Sequence, residues 1–145
     1  ATAGLHATQK NDYPITVMRG HSVSELILSK EDIGYTGIDK PSTIIALGQE
    51  GVNRRKKIFA ELTLETLVLK AAGVGLPSTK AEIYEIDFKA QKVKSQDWAL
   101  AAIFQLTRTK RMLSVNMLDA ALELRFKGNL LAQAREVMDR FAIVQ

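Results

Sequence analysis

Thr43-Ile44-Ile45-Ala46-Leu47 is a short, wholly apolar run rich in branched residues, followed at once by Gly48 and a stretch of helical character to Leu62. Branched side chains suit a pleated backbone, and a run that is apolar on both of its alternating faces suits a strand covered on both sides. The segment predicts strand, turn and helix, the unit from which parallel sheets are built.

Working outward from it, the short-strand signature returns at residues 64–69 and 82–88, with Gly73, Gly75 and Pro77 punctuating the loop between them. Upstream, residues 21–29 mix alternation with a compact apolar run and predict a mostly buried strand. Residues 29–41 hold two glycines, two aspartates and a proline, which predicts a loop. Residues 1–8 read as the end of a helix turning into a strand, the edge of a longer domain.

From Ser95 the period changes. Trp98, Ala101, Ala102, Gln105 and Leu106 recur at steps of three and four, placing one apolar stripe along a helix that Ser95 is expected to cap. Ser114 precedes a second such helix through Met117, Leu118, Ala121, Leu122 and Arg125, and Lys127-Gly128 supplies its stop. Asn129 is expected to cap a third helix through Leu130, Leu131, Ala134, Val137, Met138 and Phe141. The fold class that follows is α/β, a mostly parallel sheet flanked by helices with a helical C-terminal third, as a single domain over residues 1–145.

The 145 residues suit one core, and 46% hydrophobic against 25% charged residues is the balance of a chain that folds. No apolar run approaches the roughly 20 residues a bilayer requires and no signal peptide is evident, so a soluble cytoplasmic protein away from membranes is expected. The absence of cysteine excludes disulfides, cysteine nucleophiles and thiolate-held clusters on these residues, so a redox centre would belong to another chain. The net charge of +4 is spread among alternating acids and bases, and nucleic-acid binding is not expected.

The ionisable clusters have plain readings. Asn53-Arg54-Arg55-Lys56-Lys57 points around a helix instead of along one groove, and a solvated surface is expected. Arg108-Thr109-Lys110-Arg111 follows an apolar helix, whose carbonyl end its charge complements. His6 and His21 lack partners at metal-ligand spacing, so no metal site is expected. Glu85 and Asp87 share a strand face and are expected to meet solvent or a partner. Gly73-Val74-Gly75 reads as a turn, and Met112, Met117 and Met138 as packing residues. No catalytic residue is assigned.

One segment stands apart. In residues 13–25, Arg19 precedes Gly20, His21 and Ser22 just before a strand. A guanidinium there can bind a carboxylate or phosphate while the glycine permits close backbone approach, or it can brace the turn through local carbonyls.

With its surroundings this segment resembles the gamma subunit of the pyruvate and 2-oxoglutarate:ferredoxin (2-oxoacid:acceptor) oxidoreductases. Members typically show a threonine-glutamine pair, a tyrosine, an arginine-glycine-glycine and a serine-rich entry into a strand. Their counterparts here are Thr8-Gln9, Tyr13, Arg19-Gly20-His21 and residues 22–29. The likeness continues through the proline-led strand at residues 40–47, the strand and loop at 81–90, the small-residue helix at 95–106 and the closing helices around Phe126-Lys127-Gly128-Asn129. His21 replaces the second glycine, and the strand, glycine-rich loop and helix with which the family opens have no counterpart, so the domain is expected to lack them.

The resemblance implies a complex that oxidatively decarboxylates a 2-oxoacid to an acyl-coenzyme A and passes electrons to ferredoxin or another acceptor. It places thiamine diphosphate, Mg and iron-sulfur clusters on the partner alpha, beta and ferredoxin-like delta subunits, with coenzyme A as co-substrate and no cofactor on this chain. It makes this chain a structural, partner-docking element near the coenzyme A site, inactive alone and open to homodimer formation when isolated. Arg19, Gly20, His21 and Ser22 are then candidates for a subunit-interface or anion contact. The competing reading is a stand-alone α/β domain that binds an anionic small molecule.

Overall fold

The computed structural model describes residues 4–13, 22–34, 37–38, 40–109 and 113–143. The chain divides into two compact units, Ala1–Ile86 and Asp87–Gln145.

The first unit opens with an antiparallel hairpin of β1 (His6–Asp12) and β2 (Val23–Ser29), in register from His6 opposite Ser29 to Asp12 opposite Val23. Side chains alternate between its faces. Gln9, Asn11 and Ser24 hydrogen-bond together on one of them: the Gln9 amide donates to Asn11 Oδ1 at 3.1 Å and to Ser24 Oγ at 3.0 Å, and the Ser24 hydroxyl donates to Asn11 Oδ1 at 2.9 Å.

The apolar run at residues 43–47 forms β3 (Thr43–Ala46). It leads through Gly48 into α1 (Gln49–Arg54) and a 3₁₀ turn (Lys56–Glu61), then to β4 (Leu67–Ala71) and β5 (Glu82–Ile86). The three strands form a parallel sheet in the order β3-β4-β5. β4 lies between its neighbours with Val68 and Leu69 essentially inaccessible, and Phe59 of the 3₁₀ turn is equally buried. Truncating a leucine so placed costs about 2–5 kcal/mol, which identifies this strand as the unit's main anchor.

Several boundaries differ from expectation, β5 among them, which ends at Ile86 instead of running to residue 88. The strand read at residues 64–69 begins three residues later, at Leu67, because the Thr66 N–H closes a turn onto the Thr63 carbonyl at 3.1 Å and the Thr66 hydroxyl donates to the Pro41 carbonyl at 2.9 Å. Leu64 lies outside the strand and is 78% exposed. The helix read to Leu62 breaks at Arg55, where the backbone leaves α geometry and continues as the 3₁₀ turn.

The second unit is helical: a 3₁₀ turn (Ser95–Asp97), then α2 (Trp98–Arg108), α3 (Val115–Arg125) and α4 (Asn129–Ile143). Its core is aromatic. Phe88 stacks on Trp98 with centroids 5.1 Å apart, and Phe141 lies 6.0 Å from Phe88 and edge-on to Phe104 at 6.5 Å. The Trp98 indole N–H donates to the Val93 carbonyl at 3.1 Å, so the ring buries its body and satisfies its donor.

Ser95 does not cap α2: it opens the 3₁₀ turn, and the helix begins after Asp97 without a side-chain cap. Ser114 does cap α3, its hydroxyl accepting the Met117 N–H at 3.2 Å. Gly128, at φ +57, reverses the chain after α3, and Asn129 becomes the first residue of α4 rather than its cap. Arg108 stands in the last turn of α2, whose carbonyl end its charge complements as expected, and it also donates to the Phe141 carbonyl of α4 at 3.3 Å. Lys110 and Arg111 of that basic run lie outside the described residues.

α3 buries only Leu122 and is tied to α4 by Arg135, whose guanidinium donates to both Asp119 oxygens, at 2.9 and 3.1 Å, and to Glu123. That hydrogen bonding holds the Asp119 carboxyl below the usual carboxylate range, with burial opposing it, and raises the Arg135 guanidinium. Among the described residues no helix is long and apolar enough to cross a membrane.

Candidate functional site

Arg19, Gly20 and His21 lie outside the described residues; Ser22 is described, exposed, immediately before β2. A Cβ placed on Gly51 of α1 would stand 3.6 Å from the Ser22 carbonyl oxygen and 3.9 Å from Val23 Cγ2, so α1 passes close beside the start of β2.

There a cleft of about 340 Å³ opens, lined by Lys10, Asn11 and Asp12 of β1 and by Arg54 and Arg55. Two carboxylates organise the cations. Arg54 Nε donates to Asp12 Oδ2 at 3.2 Å, Arg55 Nη2 lies 4.0 Å from the same oxygen, and Arg55 Nη2 meets Glu25 Oε1 at 2.9 Å. The Glu25 side chain is 15% exposed, and both its Oε2 and Arg55 Nε are buried without a hydrogen-bond partner. The pairs thus latch the hairpin to α1 while leaving donor capacity unspent, since each guanidinium carries five N–H groups.

Asn53, Arg54, Lys56 and Lys57 are exposed as expected, whereas Arg55 is partly covered, and both arginines meet acids. Nothing in the sequence flagged this: the partners lie 42 and 30 positions apart, and a charge run does not reveal which members meet acids.

The other candidates resolve plainly. Glu85 pairs with Lys70, and Asp87 accepts the Ala90 N–H at 2.9 Å to close a turn, so the two acids do not work as a pair. Gly73, at φ +88, makes the expected turn. Gly75 is gripped by a residue that sequence reasoning passed over, Gln49 at the start of α1, whose amide bonds both backbone polar groups of the glycine. Met138 packs as expected, and Met112 lies outside the described residues. Among the described residues, no three histidine, aspartate or glutamate side chains gather as a metal site would require. The cleft is suited to holding a carboxylate or phosphate against its guanidinium groups.

The family model described as pyruvate ferredoxin/flavodoxin oxidoreductase matches residues 1–140. Comparison with curated proteins gives no match. Among solved structures, the gamma subunit of keto/oxoacid ferredoxin oxidoreductase from Geobacter sulfurreducens PCA is similar at a TM-score of 0.71 and 15% identity, over 97% of this chain and 80% of that one. Identity this low carries the shared fold.

Proposed function

From the premise that the chain belongs to the pyruvate ferredoxin/flavodoxin oxidoreductase family, we propose that it is the gamma subunit of a cytoplasmic 2-oxoacid:ferredoxin (acceptor) oxidoreductase. The family match over residues 1–140 is the observation that carries this reading. The complex would convert a 2-oxoacid of the pyruvate or 2-oxoglutarate kind, with coenzyme A, to an acyl-coenzyme A and carbon dioxide, passing two electrons to the acceptor.

This chain's part is structural and partner-docking. Residues 1–145 contain no cysteine, so the thiolates an iron-sulfur cluster needs come from another subunit, as does the thiamine diphosphate with its Mg. Each unit exposes apolar side chains that such a subunit would offer to alpha, beta and delta partners: half-exposed Ile83 and Tyr84 on β5 in the first, and Leu124 and Leu130, 66% and 60% exposed, in the second. Lys10, Arg54 and Arg55 supply a polar contact fit for an anionic group of coenzyme A or of a partner.

The cleft also supports a second reading, a domain that binds an anionic small molecule without partners. Co-expression with the candidate thiamine and iron-sulfur subunits, followed by pull-down and size exclusion, separates the two. Stoichiometric co-purification with coenzyme A-dependent oxoacid oxidation is expected. A monodisperse chain that ignores those subunits would overturn the subunit reading, and so would oxoacid turnover by the chain alone.

A further inference from the structure

The turn at residues 87–94 is fixed from within and charged outside. Phe88 and Val93 are buried. The Val93 N–H donates to the Phe88 carbonyl at 2.9 Å, and inside that bond the Lys92 N–H donates to the Lys89 carbonyl at 3.0 Å. Two bonds nested in this way, with an apolar pair across them, close a helical turn on a left-handed residue. Phe88 stacks on Trp98 and the Val93 carbonyl accepts the Trp98 indole N–H, so the turn is tied to the aromatic core of its unit. Lys89, Lys92 and Lys94 are exposed.

The left-handed residue is Lys92, at φ +56, alone among the described non-glycine residues in having a positive φ. Glycine is the usual occupant, because a Cβ crowds the backbone there. A cation is thus held where local stability favours no side chain at all. The three ammonium groups also lack internal partners. Elsewhere in the unit every described cation but Arg125 is engaged: Arg108 and Lys127 by the carbonyls of Phe141 and Glu123, Arg135 and Arg140 by carboxylates. Among the described residues no acid pairs with Lys89, Lys92 or Lys94. Asp87 accepts the Ala90 N–H at 2.9 Å, and Asp97 is partly covered in the following 3₁₀ turn.

We infer that Lys89, Lys92 and Lys94 form a docking surface for a carboxylate-bearing face of another subunit, and that their charge steers the encounter. Ammonium groups are compact point charges, and three of them on a rigid turn suit separate carboxylates. A nucleic acid is better served by a long basic groove with exposed rings, and the ring at this turn, Trp98, is packed inside. The inference rests on the subunit reading and adds to it a surface and the chemistry of the partner: the exposed apolar side chains hold the contact, and these lysines guide it.

Association kinetics test it, with the chain mixed with the candidate thiamine and iron-sulfur subunits at low and high salt. Reversing all three lysines (Lys89→Glu, Lys92→Glu, Lys94→Glu) should slow association about tenfold at low salt and change dissociation little, and the gap should close at about 0.5 M salt. Lys92→Glu should slow it more than Arg125→Glu, which changes net charge equally; parity would reduce the effect to net charge and overturn the inference. Lys92→Gly removes charge while relieving the backbone, so it should raise the denaturant midpoint yet slow association about twofold. A more stable Lys92→Gly chain that associates at the parent rate would also overturn it. Subunit binding untouched by the triple reversal overturns this inference alone, the more so if the same variant loses binding to anionic vesicles or a polynucleotide. A parent chain that does not bind the subunits at all overturns the subunit reading first, and this inference with it.

Discussion

Gln49 holds Gly75 at both of its backbone polar groups: its amide nitrogen donates to the glycine carbonyl at 3.0 Å, and its amide oxygen accepts the glycine N–H at 2.8 Å. The contact imitates one rung of a β-ladder and ties the first residue of α1 to the loop that follows β4. Both lie beyond the carboxyl ends of parallel strands, where open α/β sheets place their ligands.

Replacing Gln49 with alanine removes both bonds from a partly solvated site. A loss of about 1 kcal/mol is expected in urea unfolding, together with faster exchange of the Gly75 amide. Unchanged Gly75 exchange would show that the loop holds its shape without the clasp.

The two latch arginines should separate by burial. Arg54 is half-exposed, and Arg54→Ala is expected to cost under about 1 kcal/mol. Removing Arg55 strands the more buried Glu25, and Arg55→Ala is expected to cost about 1–3 kcal/mol. Equal losses in the two variants would mean that Asp12, not Glu25, carries the latch.

Asp119 gives the helical unit an acid sensitivity of known sign. Its folded-state carboxyl titrates below its ordinary value of 3.8 because Arg135 hydrogen-bonds the charged form. The stabilisation is fully present above that ordinary value and is lost as pH falls through the lower, folded one. Thermal unfolding midpoints of the parent chain should therefore fall towards those of Asp119→Asn below about pH 4, and the gap between the two should be constant from pH 5 to 7. A gap that widens on acidification has the wrong sign for this pair.

Two serines that look alike in sequence should behave differently. Ser114→Ala removes a working cap and is expected to cost about 1 kcal/mol. Ser95→Ala, in a 3₁₀ turn with no capping bond, should stay within about 0.5 kcal/mol. Parity between them in denaturant midpoints would contradict the capping geometry.

What the sequence made legible follows from how local the signal is. β3 and β4 were readable because both faces of each are apolar, and α2 and α4 because one stripe is. The start of α3 was readable at Ser114, where a cap acts on the amide three residues on. The start of β4 was not, since a turn closed by Thr63 and Thr66 and anchored at Pro41 depends on a contact 25 residues away. The candidate cleft was least legible: Asp12, Glu25, Arg54 and Arg55 meet only because β1, β2 and α1 converge. The segment that did stand out, Arg19, Gly20 and His21, lies outside the described residues.

The stack of Phe88 on Trp98 has a practical consequence. Trp98 is the chain's only tryptophan, and its ring is packed within Asp87–Gln145. Its emission is therefore a native fluorescent reporter of the helical unit alone, whereas far-ultraviolet dichroism records every element. Following both through one denaturant titration reads out, without any label, whether the sheet-bearing and helical units melt as one cooperative body.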